Sequence, residues 1–169
     1  PVLSIPDNDT AGGVSTLQVA DTGTIEDVDV KVNITHSADG NLAIYLITPE
    51  NNSIALSLNN GGPGDNFVDT VFDSEGSVSI TGGTAPFTGT YIPQGDLSPL
   101  YGTVAQGTWR LKVVDNATGD TGTIDNWSLL FTIGDGYDLY VDSTTTVADV
   151  TSPYTYEPGN NLEHTYQVR

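Results

Sequence analysis

The sequence predicts an all-β protein: an antiparallel jelly-roll β-sandwich with a short C-terminal β extension. Three observations carry this expectation. Apolar residues recur at every second position in several short runs, the period of a strand with one buried face. Clusters of Gly, Asn, Asp and Pro separate those runs, as turns between antiparallel strands require. No segment of useful length shows the 3.6-residue period of an amphipathic helix. Short strands at this spacing define sandwiches and jelly rolls.

In chain order, "VDVKVNI" (28–34) alternates cleanly, with Val28, Val30, Val32 and Ile34 on one face and Asp29, Lys31 and Asn33 on the other. "NLAIYLIT" (41–48) is apolar on both faces, as a central strand would be. "SIALSL" (53–58) buries Ile54, Leu56 and Leu58, and "FVDTVFD" and "SVSI" are shorter, weaker strands. "TWRLKVV" (108–114) turns Trp109, Leu111 and Val113 inward and Arg110 and Lys112 outward; "WSLLFTI" (127–133) offers Trp127, Leu129 and Phe131 in the same way. "PENNS", "NNGGPGDN" and "GTAPFTGTYIPQG" read as turns.

Composition narrows the function. The chain has 169 residues, enough for one domain with a real core. It carries 22 acidic residues against 4 basic ones, a formal net charge of −18. Nucleic acid is not an expected partner, because phosphate binding needs clustered Lys and Arg. Docking on anionic membrane is disfavoured for the same reason. There is no cysteine, which removes disulfides, thiolate metal sites and thiol nucleophiles. No run reaches membrane-spanning length and no signal peptide begins the chain. The expected location is secreted, as a mature domain cut from a precursor. For most of the acids, solubility or adaptation to salty water is sufficient explanation.

One acidic stretch asks for more. "DNATGDTGTIDNW" (115–127) joins two strands and carries Asp115, Asp120 and Asp125 with no basic residue. If strand 28–36 runs up, strand 41–48 runs down and strand 53–58 up again. If 108–114 also runs up and forms a hairpin with 127–133, three loops share one end, and Asp39, Asn41, Asp65, Asp115 and Asp120 converge there. Two carboxylates about 4 Å apart repel by roughly 1 kcal/mol in water and about 4 kcal/mol at an effective dielectric of 20. A cation among them removes that cost. Calcium takes six to eight oxygen ligands from carboxylates, amides and carbonyls, which these loops supply. Magnesium wants tighter octahedral geometry. The loop is no EF-hand, since Ala117 stands where the third position needs an oxygen ligand and strands flank it. The alternative is that Asp and Asn here simply make Asx turns.

Five blocks occur in order: "IPDNDTAGGVSTLQV", "ITHSADGNLAIYLITPENNS", "LNNGGPGDNFVDTVFDSE", "GTAPFTGTYIPQGDLSPLYG" and "GTWRLKVVDNATGDTGTIDNWSLLF". Together they resemble the P domain (P/Homo B domain) of proprotein convertases and bacterial secreted proteases, over roughly residues 3 to 133. The resemblance implies a jelly roll that follows a protease catalytic domain in the same precursor, stabilises it and tunes its calcium and pH dependence without itself being catalytic. It implies calcium ligation at positions matched one by one. Asp39 and Asn41 fall in the family's His-x-x-Asp-Gly-Asp-Leu turn, whose second acid is Asn41 here. Asp65 matches the "GDN" block. The family's Phe-Asp-Asp-Glu is "FDSE", which keeps Asp73 and Glu75 and loses the middle carboxylate. Asp115, Asp120 and Trp127 match the final block.

An enzyme is not expected. The histidines are His36 and His164, and neither a Gly-x-Ser-x-Gly elbow nor a His-Glu-x-x-His motif occurs. His36 opens the family turn and reads as a hydrogen-bonded structural residue. A paired-carboxylate glycosidase would need an aromatic-lined cleft; Tyr91, Tyr101 and Trp127 read as core or rim. An internal Lys–Asn crosslink at Lys31 or Lys112 is not expected.

The chain divides into a P-domain-like sandwich at 1–134 and a partial β module or strand extension at 135–169. "YEPGNNLEHTYQVR" resembles the closing half of a fibronectin type III module. Strands without a sandwich of their own expose edges, so residues 137–169 either dock on the first sandwich or self-associate with another chain. The function expected is a non-catalytic, calcium-binding accessory domain of a secreted bacterial protease. The alternative is a structural or adhesive extracellular subunit assembling by β-strand addition, with calcium relieving repulsion between chains.

Overall fold

A computed structural model describes residues 2–134 and, as backbone, the strand at 136–141. Ten strands follow one another: β1 (Leu3–Ile5), β2 (Gly13–Val19), β3 (Ile25–His36), β4 (Leu42–Ile47), β5 (Ser53–Leu58), β6 (Phe67–Phe72), β7 (Phe87–Tyr91), β8 (Gly107–Asp115), β9 (Gly122–Ile133) and β10 (Gly136–Val141). Between them, among the described residues, the only helical elements are 3-10 turns at Asp39–Asn41, Ile80–Gly82 and Ser98–Leu100.

Two sheets form a sandwich. One runs β1-β9-β3-β6-β7, with β10 also paired to β9; the other runs β2-β8-β4-β5. Without β7 and β10 the two sheets each hold four strands, and the chain crosses from one sheet to the other at each step except the β4–β5 hairpin, the double Greek-key order of a jelly roll. The all-β sandwich expected from the periodicity is therefore the fold. Among the described strands the pairings are antiparallel with one exception: β6 and β7 run parallel, Phe67 beside Phe87 and Phe72 beside Tyr91. Residues 73–86 supply the long return that a parallel pair needs.

Alternation explains the core. In β3, Val28, Val30 and Val32 are fully buried with Ile34, while Asp29, Lys31 and Asn33 lie on the outer face. In β8, Trp109, Leu111 and Val113 turn inward, and in β9 Trp127, Leu129 and Phe131 do the same. Trp109 meets Phe131 across the sandwich at 5.4 Å between ring centroids. Phe67 stacks on Phe87 at 4.7 Å. Both indoles are satisfied as buried N–H donors must be: Trp109 donates to the Ala105 carbonyl at 2.8 Å and Trp127 to Ser15 Oγ at 3.0 Å.

Three local readings are corrected. Strands β8 and β9 are not a hairpin, because they belong to different sheets and 116–121 arches over the end of the sandwich. The reason is in the core: hairpin neighbours point side chains the same way, whereas Trp109 and Phe131 face each other. "SVSI" is a single bridge, Ser79 to Ile92, running into a 3-10 turn. Finally, β7 lies within a segment whose Gly and Pro content reads as turn; Gly89, at φ +87, is a residue whose conformation an L side chain rarely takes. At the C-terminal side, β10 pairs with β9 from Gly136 opposite Ile133 to Val141 opposite Ser128. The rest of the 137–169 expectation lies outside the described residues.

Candidate metal centre

β4 is antiparallel to β5 and to β8, so β3, β5 and β8 all deliver their C-terminal ends to one end of the sandwich. Three connections meet there: 37–41, 59–66 and 116–121. Backbone bonds tie them together, Asp39 N–H to Gly64 O and Gly40 N–H to Gly62 O at 2.8 Å each, and Asn116 N–H to Asn41 O at 2.9 Å. The middle loop needs its glycines. A Cβ on Gly61, at φ +98, would fall 2.9 Å from Asp39 Cβ.

Asp39, Asn41, Asp65, Asp115 and Asp120 are all at this end, but the structure gives them different tasks. Asp115 is 1% exposed, accepts from Ala117 N–H at 3.1 Å through Oδ1, and lies 3.3 Å from His36 Nε2 through Oδ2. His36 is equally buried. The Ala38 N–H donates to its Nδ1 at 3.2 Å, and the Ala38 carbonyl lies 3.0 Å from the same nitrogen. A neutral ring accepting from Ala38 N–H, or an imidazolium donating to Ala38 O, both put a proton on Nε2 facing Asp115. His36 is thus the hydrogen-bonded structural residue its place in the turn implied.

Asp120 is satisfied by side chains. Ser37 Oγ donates to its Oδ1 at 3.1 Å and Asn41 Nδ2 to its Oδ2 at 2.6 Å. Asp65 is exposed. Asp39 differs from the rest: it is 0% exposed, its Oδ1 accepts from Asn66 N–H at 2.9 Å, and its Oδ2 has no hydrogen-bond partner. Burial pushes its carboxyl up to about 7; the Asn66 N–H works against this and the neighbouring Asp65 charge adds to it. Among the described residues, no three His, Asp or Glu side chains are drawn together as a preformed metal site. An orphaned buried carboxylate oxygen beside the exposed acid Asp65, in a loop rich in carbonyls, nonetheless has the donor chemistry of a hard-cation site.

Asp73 and Glu75 are not at this end. β6 runs antiparallel to β3 with Phe72 opposite Val30, which puts Asp73 near the start of β3, about 20 Å away along the strand. There a second acidic group forms. Tyr101 Oη lies 2.9 Å from Asp27 Oδ1 and 2.9 and 3.1 Å from the two Glu75 oxygens. One hydroxyl proton cannot serve both carboxylates at once. Asp29 Oδ1 is buried without a partner. Burial first, then the charges of Asp27, Asp73 and Glu75, push the Asp29 carboxyl up to about 7. Burial likewise raises Glu75 and the Tyr101 hydroxyl. Sequence reasoning placed Asp29 on an outer strand face and Tyr101 in the core or rim. The available signal was the pair of alternating acids, Asp27 and Asp29, in a strand antiparallel to the one ending in "FDSE".

The double Greek key and this loop end define a class of β-sandwich module, and comparison with known sequences assigns it. The family model of the proprotein convertase P-domain matches residues 25–131, and the chain belongs to that family. Among its relatives, the calcium-dependent protease of Trichormus variabilis is 33% identical over 126 residues, 73% of this chain and 16% of that protein. The transglutaminase-activating metalloprotease of Streptomyces mobaraensis is 36% identical over 102 residues, 60% of this chain and 10% of that protein. The crystal structure of the serine protease of Aeromonas sobria aligns with a TM-score of 0.45 at 22% identity, over 82% of this chain and 21% of that one. The chain thus spans a small part of the relatives it matches.

Proposed function

We propose that this P domain is the non-catalytic accessory domain of a secreted bacterial protease, that it binds calcium, and that the ion stabilises the sandwich. The partner on this reading is the catalytic domain of the same precursor. The observation that carries the calcium reading is Asp39: a carboxylate fully enclosed by the 59–66 loop with one oxygen unpaired. A buried polar atom without a partner costs about 1–3 kcal/mol, more when charged, and a cation at that oxygen removes the cost.

Asp39 and Asp65 would hold the ion with carbonyls of the glycine-rich loop, and Asn41 and Asp120 stand next in reach. Asp115 acts through His36 instead, fixing the turn that presents Asp39. Asp73 and Glu75 belong with Asp27 and Asp29 to a second calcium position, supported by the unpaired Asp29 oxygen and by the single Tyr101 proton among three carboxylate oxygens. Calcium suits both places better than magnesium because the ligands are hard oxygens on loops of irregular geometry. The ion supplies charge neutralisation and no chemistry. That one relative is a calcium-dependent protease agrees with this reading.

Calcium titration followed by melting tests it. At a hundredfold excess over its dissociation constant, a bound ion adds about 2.7 kcal/mol. Asp39→Ala should lose most of that gain, with Asp149→Ala as the control that keeps it. Melting curves identical in calcium and chelator overturn the calcium reading and leave the accessory role to be judged separately. For that role, the isolated chain should cleave no casein with or without calcium. Hydrolysis by the pure chain would end it.

A further inference from the structure

In a chain with 22 acidic residues, the outward strand rows of one sheet have none. Strands β2, β8, β4 and β5 contain a single acid, Asp115, and it is buried at the end of β8. On the outward side of this sheet, register places Val14, Lys112 and Tyr45 in one row and Thr16, Arg110 and Ile47 in the next. Val14 is 41% exposed, and Thr16 is exposed beside it. Arg110 and Lys112 are two of the three basic residues described, and neither is ion-paired among the described residues; Lys31, on the other sheet, pairs with Asp69 at 2.7 Å. Arg110 instead donates to Asn51 Oδ1 at 2.6 Å and leaves its Nε buried and unpaired, and Lys112 donates to the Thr10 carbonyl at 2.9 Å. Two cations without carboxylate partners, beside exposed Val14 and half-buried Tyr45 and Ile47, stand out on a molecule of net charge −18.

We propose that this outer sheet face is a docking surface for an extended acidic peptide segment of another protein, with apolar side chains between its carboxylates. Charge selects the partner. Two cations on so acidic a body cannot hold nucleic acid or anionic lipid, but they complement two carboxylates. Spacing selects the form. Arg110 and Lys112 are alternate residues of one strand, so their side chains emerge about 7 Å apart, the separation of alternate acids on an extended chain. Size excludes a larger occupant. Four strands about 4.8 Å apart and six residues long give a face of about 400 Å², half of what each partner buries in a stable protein complex, about 800 Å².

The probe is an acetylated ten-residue peptide alternating Glu and Tyr, titrated into the full ¹⁵N-labelled chain, with a Lys–Tyr peptide as the reverse-charge control. Amide shifts should cluster at residues 14–16, 45–47 and 110–112, weaken with salt, and be absent with the control peptide. Arg110→Gln and Lys112→Gln together should weaken binding at least tenfold while the melting temperature and calcium response stay near wild type. Tyr45→Thr, which keeps both charges, should weaken it as well. No saturable binding, shifts elsewhere, or equal affinity of the control peptide overturns the proposal. So does concentration-dependent sedimentation of the chain that the Arg110/Lys112 variant abolishes, since the occupant would then be a second copy.

Discussion

Replacing Asp39 by asparagine separates the charge at the loop end from its geometry. The amide keeps the shape and can still accept the Asn66 N–H, but it carries no charge at any pH. In the wild-type fold Asp39 sits near 7 rather than at the ordinary 3.8. A raised acid holds its proton more tightly folded than unfolded, so its stabilising contribution is fully present below about pH 4 and is lost as pH rises through 7. A difference of about 3 units at about 1.36 kcal/mol each gives about 4 kcal/mol. Screening that reaches the buried carboxyl through exposed neighbours such as Asp65 halves this to about 2 kcal/mol, or about 4–8 °C of melting temperature for a domain of this size. In chelator the wild type should lose that amount between pH 4 and pH 8 relative to Asp39→Asn, so that the variant is the more stable protein at pH 8. Calcium should reverse the order at pH 8 and do little at pH 5, where the carboxyl is protonated. Melting curves for both proteins, with calcium and with chelator, provide the readout. If the variant is the less stable at pH 8 in chelator and still responds to calcium, Asp39 is only a turn-forming acceptor and the reasoning fails.

Other perturbations report on the surroundings. His36→Ala leaves the buried Asp115 Oδ2 without its side-chain partner, with only the Ala117 N–H on Oδ1 remaining, and urea denaturation should show a loss of about 3–5 kcal/mol, whether or not calcium is present. Gly61→Ala puts a Cβ against Asp39 at a positive φ; it should cost about 1–3 kcal/mol and flatten the calcium response, which calorimetric titration would detect. Tyr101→Phe removes the proton shared by Asp27 and Glu75; it should destabilise by about 1–2 kcal/mol in chelator and by less in calcium, and equal losses in both would argue against a cation there.

Much of the fold could be read from alternation alone. Val28, Val30, Val32 and Ile34, or Trp109, Leu111 and Val113, announce a buried face at every second residue, and antiparallel order then dictates which loops share an end. Periodicity says nothing about which sheet a strand joins. That is why 116–121 looked like a hairpin loop, although the Trp109–Phe131 contact requires the two strands to face one another. Nor does it find β7, where Gly89 interrupts the pattern. At the loop end the residue types were legible but not their occupancy. Counting carboxylates suggests uniform repulsion, yet Ser37, Asn41, His36 and backbone N–H groups already satisfy Asp120 and Asp115, and the uncompensated oxygen belongs to Asp39. Which acids are satisfied depends on donors brought from loops distant in sequence, so only the folded chain reveals it.

The weave of the two sheets also constrains how the molecule comes into being. β8 fills the space between β2 and β4, and β9 the space between β1 and β3. Until those two late strands have left the ribosome, the first hundred residues present unmatched strand borders on both layers and no sealed interior. All-β chains dominated by such distant pairings fold in milliseconds to seconds, and their half-built forms are prone to stick to one another. A premature stop anywhere before Ile133 should therefore yield no partial domain at all, and the nascent acidic chain, repelling its own copies, would be kept dispersed during the wait.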